Sequence, residues 1–263
     1  AGRRCPPVPA MTASALSGLL AAAAALQPAL GGGVGILGGA ADSRVRLVQR
    51  QGKRVFVDDF GRERIFHGTN VAVKGPPWHP SRDGFDHQTS LVAEDFEMMR
   101  SAGLNVIRLN VAWPGVEPVR GQYNETYLDQ IDKIVEMAGT HGVYVMLDLH
   151  QDGLSEYFCG EGFPHWAVKR NKDHWYNPLR KPFPAPFDRF ENETCFYREE
   201  KHQGAKFPTR QACDHHKHGP SWGEGTMEAA QAYQALWDNW NGIGDAFVAV
   251  WAKVAARFKG RPE

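Results

Sequence analysis

The sequence has 263 residues with a formal net charge of zero, 42% hydrophobic residues and 23% charged residues. This composition is typical of a globular protein with a buried core and excludes a largely disordered chain. Since there is no basic surplus, the composition also argues against nucleic acid as a partner and against a polybasic membrane anchor.

The first 41 residues differ in composition from the rest and are typical of a secretory leader. Arg3 and Arg4 precede a short apolar run at residues 15–26, and small residues follow up to Ala41. The apolar run is too short to span a bilayer. We therefore expect residues 1–41 to be a signal peptide or leader and residues 42–263 to form the folded part.

Cysteine and sequon usage fits a secreted protein. Cys159, Cys195 and Cys213 remain after the leader, which favours one disulfide and one odd thiol. Cys195 and Cys213 flank a polar loop and are the preferred pair. Sequons at Asn124 and Asn192 are candidate glycosylation sites.

Apolar runs and helical patterns alternate along the chain. In order, the patterns predict a hairpin with arms at 55–57 and 64–66, a strand at 67–73, a helix at 90–102, a strand at 105–113, a helix at 125–139 and a strand at 143–150. The alternation stops over residues 151–226. A long helix is then predicted over 227–258, with a break at Gly242 and Gly244 and an apolar stripe that includes Trp237 and Trp240.

Alternating strands and helices with short connections predict parallel βα units. Three parallel strands bury little apolar surface on their own, whereas a closed (β/α)8 barrel needs eight strands and about 250 residues. We therefore predict an α/β fold, a partial (β/α)8 TIM barrel with the first three βα units and a long insertion after the third strand. The alternative is a complete, small three-layer α/β domain.

Polar side chains are predicted to converge where these strands end. Strand alternation puts Asp148, His150 and, with continued extension, Asp152 on one face, which points inward in a barrel. Because Asp148 lies deeper in the strand, a purely structural role is favoured for it. Fixed donors and acceptors at a barrel rim suit the hydroxyl groups of a sugar. The residues expected to meet there are Asn70, Lys74, Arg108, His150 and Asp152.

Several of these segments resemble motifs of endoglycoceramidases in glycoside hydrolase family 5. The run from Val145 to Asp152 resembles the third-strand motif of that family. Residues 68–74, 107–113 and 116–123 resemble further segments, and residues 159–167 resemble the loop that follows the third strand in animal-type members. The resemblance extends from about residue 55 to the end of the chain. It implies that residues 42–263 are the N-terminal part of a (β/α)8 catalytic domain.

The resemblance implies hydrolysis, with retention, of the bond between oligosaccharide and ceramide in glycosphingolipids. It implies a glycolipid as the partner, transient contact with a lipid surface, no cofactor, and a secreted or endolysosomal location. One alternative is a β-glucosidase of the same subfamily that acts on glucosylceramide or steryl glucoside. An alternative of another class is a non-catalytic glycan- or glycolipid-binding protein.

Motif matches also imply roles for individual residues. His150 is expected to line the position of the reacting sugar. Arg108 is expected to brace the catalytic nucleophile, because a guanidinium can hold a carboxylate bidentately and keep it ionised. The predicted substrate-binding residues are Lys74, Asp152, Trp166, Asn70 and Trp113.

Retaining hydrolysis needs two carboxyl groups about 5–5.5 Å apart. In the family these are glutamates at the ends of the fourth and seventh strands, and the first follows an asparagine. Glu156, Glu161 and Glu224 can approach the barrel mouth, but the spacing marks none of them. We therefore assign no nucleophile or acid within the chain, expect it to be inactive alone, and expect an Asn-Glu pair soon after residue 263 in the parent gene.

A histidine-rich segment raises the question of a metal. It contains His202, His215, His216 and His218 close to Cys213. The spacing lacks the paired ligands of zinc sites, so we predict a solvated loop and no metal site.

Overall fold

The computed structural model describes residues 44–158, 160–169, 197–199, 206–208 and 227–262. The strands are β1 (Arg46–Arg50), β2 (Lys53–Val57), β3 (Gly68–Val71), β4 (Val106–Asn110), β5 (Tyr144–Asp148), β6 (Tyr197–Glu199) and β7 (Lys206–Pro208). The helices are α1 (Ala93–Ser101), α2 (Trp113–Val116), α3 (Glu125–Thr140), α4 (Met227–Trp237) and α5 (Ile243–Phe258). The predicted leader, Asn192, all four cysteines and the histidine-rich segment lie outside the described residues.

The central element is a parallel sheet with the strand order β3-β4-β5. Asn70 lies opposite Arg108, and Asn110 lies opposite Asp148, so the polar strand positions share one face. Ile107 points to the other face and is fully buried, as expected where helices cover a sheet. The predicted βα alternation is confirmed, although β3, β4 and β5 are each shorter than the sequence pattern indicates.

Helices α1 and α3 form where their periodicity predicts them. In α1, Phe96 and Met99 are buried, and the Asp95 carboxylate accepts a hydrogen bond from the Val92 amide at 2.8 Å, capping the first turn. In α3, the Asn124 side chain accepts a hydrogen bond from the Tyr127 amide at 3.1 Å. One face of α3 is buried at helical spacing by Leu128, Ile131, Ile134, Val135 and Ala138.

The predicted N-terminal hairpin forms only in part, and β2 has a further partner that the sequence pattern did not indicate. β2 pairs with the preceding strand β1 across Gln51 and Gly52, which both have positive φ as a two-residue hairpin turn requires. The predicted second arm pairs with β2 only briefly, through a bridge between Val57 and Glu63 and a hydrogen bond from the Arg64 amide to the Phe56 carbonyl at 2.8 Å. The buried Asp58 carboxylate accepts hydrogen bonds from the Phe60 and Arg62 amides and holds the turn between them.

The C-terminal helical segment breaks near the predicted position. Asn239, Asn241 and Gly242 adopt left-handed backbone conformations between α4 and α5, and Gly244 lies inside α5. The predicted stripe is wrong at Trp237 and Trp240, which are 81% and 37% exposed. The buried positions of α4 are alanines, because small side chains let this helix pack closely. Within the described ranges, no helix has the length and apolar character required to cross a bilayer.

Tyr127, at the start of α3, connects the loops that follow β3 and β4. Its hydroxyl accepts a hydrogen bond from the Ala112 amide at 2.9 Å and donates one to the Trp78 carbonyl at 3.2 Å. Burial raises the pKa of the Tyr127 hydroxyl, so the group stays neutral at physiological pH. These two bonds fix the relative positions of two segments that flank the strand ends.

We predict that Tyr127→Phe lowers the free energy of unfolding by about 1–3 kcal/mol, because two buried backbone groups lose their partner. Urea unfolding followed by tryptophan fluorescence measures the change. The matched control is Tyr123→Phe at a side chain that is 37% exposed, which we expect to have little effect. Equal losses for the two variants would contradict this account.

Candidate functional site

A chain of polar contacts runs along the carboxyl ends of β4 and β5. The Arg108 guanidinium (Nη2) lies 2.8 Å from Asp148 Oδ2, which in turn lies 3.2 Å from His150 Nδ1. His150 Nε2 lies 3.3 Å from Asp152 Oδ2. The structure therefore confirms that Asp148, His150 and Asp152 share one side, and it includes Asp148 in the cluster, where the sequence favoured a purely structural position.

Both ring nitrogens of His150 face a carboxylate. Nε2 lies 3.3 Å from Asp152 Oδ2, and Nδ1 lies 3.2 Å from Asp148 Oδ2. Nδ1 lies 3.3 Å from Arg108 Nη1, which can donate to it. Arg108 thus contacts both His150 and Asp148, and this places the guanidinium firmly at the centre of the sheet face.

Lys74 joins this cluster from the loop that follows β3. Its ammonium donates a hydrogen bond to Asp152 and lies 3.1 Å from Glu161 Oε1. Burial opposes the charge of Lys74, but the contacts with the Asp152 and Glu161 carboxylates outweigh it and raise the pKa of the ammonium. Since β4 separates β3 from β5, this lysine links two loops that belong to non-adjacent strands.

The two carboxylates that share Lys74 differ in depth. The hydrogen bond from Lys74 lowers the pKa of Asp152, whose side chain is 38% exposed. Burial raises the pKa of Glu161, whose side chain is only 5% exposed, although Lys74 acts in the opposite direction. At a pH between the two pKa values, Asp152 is therefore ionised while Glu161 still holds its proton.

Of the three glutamates expected near the mouth, the structure brings Glu161 to the cluster. Glu156 instead pairs with His165, with 2.8 Å between the carboxylate and Nε2. Glu224 lies outside the described residues. The sequence carried no periodic signal for Glu161, because this residue reaches Lys74 through the path of a loop and not through strand alternation.

That loop is closed by glycine and by paired backbone hydrogen bonds. The amide of Asp152 donates to the carbonyl of Glu161 at 3.1 Å, and the amide of Glu161 donates to the carbonyl of Asp152 at 2.7 Å. A Cβ on Gly160 would lie 1.9 Å from the Asp152 carbonyl oxygen. Only glycine allows this approach, which holds the two carboxylates side by side.

The geometry argues against a metal ion between these side chains. His150, Asp152 and Glu161 place potential ligand atoms within 4.8 Å of one another. The Lys74 ammonium already contacts both carboxylates and supplies the positive charge between them. A divalent ion would have to displace a lysine whose protonated form the site stabilises.

The same ammonium argues against Asp152 and Glu161 as the two catalytic carboxyl groups. A retaining pair must flank the anomeric carbon of the bound sugar. Here Lys74 lies at both carboxylates, and Glu161 is buried with 4% of its surface exposed. The cluster is therefore suited to hold hydroxyl groups rather than to attack a glycosidic bond.

Of the two aromatic candidates, Trp113 lies inside the core and Trp166 packs against its surface. Trp113 is fully buried, its indole N–H donates to Glu117 at 2.9 Å, and three aromatic rings surround it. The prediction that Trp113 contacts substrate is therefore wrong, because its ring has no free face. Trp166 is half-buried, donates to the Glu117 carbonyl at 3.0 Å, and has the Arg120 guanidinium 5.5 Å from its ring centre.

Two asparagines complete the polar face of the sheet. Asn70 is exposed on β3, opposite Arg108. Asn110 is only 2% exposed, and in the described part of the chain neither polar atom of its side chain has a hydrogen-bond partner. An unpaired buried amide costs about 1–3 kcal/mol, so this side chain does not stabilise the strand.

Comparison with known proteins identifies relatives of this chain. Residues 65–188 match the family described as Cellulase (glycosyl hydrolase family 5). The chain is also 41% identical over 206 residues to the endoglycoceramidase of Cyanea nozakii, covering 77% of this chain and 37% of that protein. Residues 65–188 therefore belong to glycoside hydrolase family 5, and the chain is endoglycoceramidase-like.

One further relative supports the endoglycoceramidase-like assignment, and one solved structure supports the fold. The endoglycoceramidase of Hydra vulgaris is 39% identical over 219 residues, covering 79% of this chain and 37% of that protein. A crystal structure of endogalactoceramidase superimposes with a TM-score of 0.56 at 24% identity, covering 82% of this chain and 42% of that chain. The chain thus spans a little over a third of these curated relatives, and its fold is part of a family 5 (β/α)8 barrel.

We predict that Lys74→Met destabilises the protein more at pH 7 than at pH 4.5. Asp152 has a lowered pKa, so its pairing adds stability above its unfolded pKa of about 3.9 and is lost as the pH falls through the folded value. Glu161 has a raised pKa, so its ionisation costs stability as the pH rises from about 4.3 to the folded value. Without Lys74 this second cost grows.

Urea unfolding at both pH values measures the effect. We expect a loss of about 1–3 kcal/mol at pH 7 and a smaller loss at pH 4.5. Lys133→Met, at an exposed position on α3, is the matched control. A loss that is the same at both pH values would show that Lys74 does not compensate a buried carboxylate.

We predict that Gly160→Ala separates Glu161 from Asp152. The new Cβ collides with the Asp152 carbonyl, and overpacking of this kind costs about 1–3 kcal/mol. Gly75→Ala is the control, because no atom lies within 4 Å of its added Cβ. Thermal unfolding of the two variants measures the difference, and equal melting temperatures would contradict the described loop.

Proposed function

We propose that this chain forms the glycan-facing wall of a retaining glycoside hydrolase of the endoglycoceramidase type. The reaction would cleave the glycosidic bond between oligosaccharide and ceramide in glycosphingolipids. The observation that supports it is the cluster of Lys74, Arg108, His150 and Asp152 at the ends of parallel strands, in a chain 41% identical to an endoglycoceramidase.

The chemistry of the cluster suits a sugar. Neighbouring hydroxyl groups need a donor and an acceptor at fixed spacing, and a site built for them rejects analogues that leave its polar groups unpaired. Lys74 supplies the donor and Asp152 the acceptor, and both are more than a third exposed. His150 is more buried and fixes the orientation of Asp152 from the side of the strand.

Arg108 suits a different part of the reaction. Its two terminal nitrogens already contact Asp148 and His150, so its position is set before substrate arrives. A guanidinium placed in this way keeps a nearby carboxylate ionised, which a nucleophile requires. We propose that both catalytic glutamates lie outside residues 1–263, and that the residues described here bind and orient the substrate.

The proposed setting is the secretory route or the endolysosomal lumen. Support comes from the leader-like residues 1–41 and from the sequons at Asn124 and Asn192. Expression in animal cells followed by removal of N-linked glycans tests this setting. We expect a loss of mass on glycan removal for the wild-type protein, and an unchanged mass would contradict luminal passage.

The activity is tested on the longest protein encoded by transcripts that read through the codon for residue 263. With a fluorescent glycosylceramide as substrate, we expect release of the intact oligosaccharide. We expect Asp152→Asn to lower kcat/KM about tenfold or more, since a lost hydrogen bond to a sugar costs about 1.4 kcal/mol or more. Glu156→Gln, in the same loop but paired with His165, is the control.

The alternatives give other outcomes in this assay. Release of glucose alone would indicate a β-glucosidase acting on glucosylceramide or steryl glucoside. Glycan binding without turnover, together with stop codons directly after residue 263 in independent transcripts, would indicate a non-catalytic binding protein. Residues 1–263 alone should show no hydrolysis, and turnover by the purified chain would contradict the assignment of both catalytic glutamates to other residues.

A further inference from the structure

The Lys74 ammonium has two carboxylate partners of unequal accessibility. Asp152 is 38% exposed, whereas Glu161 is 5% exposed and lies on the buried side of the cluster. An incoming sugar can therefore reach Asp152 but not Glu161. Lys74 is itself 42% exposed, so it can contact the same sugar as Asp152.

A sugar hydroxyl that donates to Asp152 competes with the existing hydrogen bond from Lys74. With a single partner, a flexible lysine side chain released from Asp152 would regain rotamer freedom, which costs about 1.5–2 kcal/mol to remove again. A second carboxylate that the sugar cannot reach would keep the Lys74 side chain ordered when Asp152 releases it. Glu161 occupies that position, 3.1 Å from the Lys74 ammonium.

The path of the loop fixes Glu161 in place. Two backbone hydrogen bonds connect residues 152 and 161, and the close approach at Gly160 leaves no room for a side chain. The charged groups that face the Glu161 carboxylate are Lys74, His150 at 3.9 Å, and Asp152. Of these, only Lys74 is a donor that the carboxylate holds at ion-pair distance below 3.5 Å.

We propose that Glu161 is a positioning residue of the glycan site, which anchors Lys74 from the buried side so that Asp152 is free to accept hydrogen bonds from the sugar. This inference rests on the proposed function for its ligand, but the anchoring contact itself does not. Glu161 touches no substrate and acts through Lys74.

The anchoring is tested by the rate at which acetic anhydride labels Lys74, measured by mass spectrometry in the full protein. Only the neutral amine reacts, so ion pairing slows labelling. In Glu161→Gln we expect Lys74 to react about three- to tenfold faster, as a fall of about 0.5 to 1 in its pKa produces. Lys253, which is paired with Glu125 at 2.6 Å, is the internal control and should not change. Glu156→Gln should leave Lys74 unchanged.

A second variant keeps the test decisive if Glu161→Gln does not fold. Asp152→Asn alters an accessible side chain and leaves Glu161 in place. We expect Lys74 in this variant still to react at least about threefold more slowly than the exposed Lys133. If Lys74 instead reacts as fast as Lys133, Glu161 does not hold it and the proposal is overturned. An unchanged Lys74 rate in folded Glu161→Gln would overturn it as well.

Binding of methyl β-lactoside separates this proposal from the proposed function. We expect the wild-type protein to bind the lactoside and Glu161→Gln to bind it at least about threefold more weakly, at a temperature at which both proteins are folded. If Lys74 labelling behaves as expected and the wild-type protein binds no lactoside, the anchor stands and the glycan assignment fails. If both proteins bind the lactoside equally well, Glu161 does not position the glycan site.

Discussion

The ammonium of Lys74 connects parts of the molecule that the sheet keeps apart. Lys74 follows β3, whereas Asp152 and Glu161 belong to the loop after β5, and β4 lies between these strands. The sheet brings the strand ends to one edge, but it does not determine how the loops beyond them meet. The shared contact of Lys74 with Asp152 and Glu161 connects the two loops and brings the polar side chains together.

The burial of the two carboxylates determines how this contact is used. An ion pair between exposed side chains contributes little, because water screens it and both side chains lose freedom. A buried carboxylate without a partner is costly, so Glu161 requires Lys74 far more than Asp152 does. Glu161 therefore holds Lys74 from the buried side, and the exposed Asp152 carboxylate stays available for hydroxyl groups.

The parts of the fold that the sequence predicts well have strong local signals. β4, β5, α1 and α3 carry long apolar patterns, and strand alternation correctly groups Asp148, His150 and Asp152. The predicted hairpin is only partly right, because β2 forms its long ladder with β1 and keeps one short contact with the predicted second arm.

The remaining errors concern burial and loop paths, which a sequence pattern does not contain. Trp113 follows a strand, where an aromatic ring can serve as a sugar platform or as core, and packing against Phe163 and Phe247 decides for the core. Glu161 reaches the cluster because Gly160, eight residues after Asp152, permits a close approach of the backbone to Asp152. That approach is visible only in three dimensions, although the glycine was visible in the sequence.

The most direct measurement of the central claim is a double-mutant cycle between Lys74→Met and Glu161→Gln, with the free energy of unfolding measured at pH 7. Because Lys74 is 42% exposed and Glu161 is buried, we predict a coupling energy of about 0.5–3 kcal/mol, in the lower half of that range. Effects that add to within about 0.3 kcal/mol would show that the two side chains do not interact and would contradict the account.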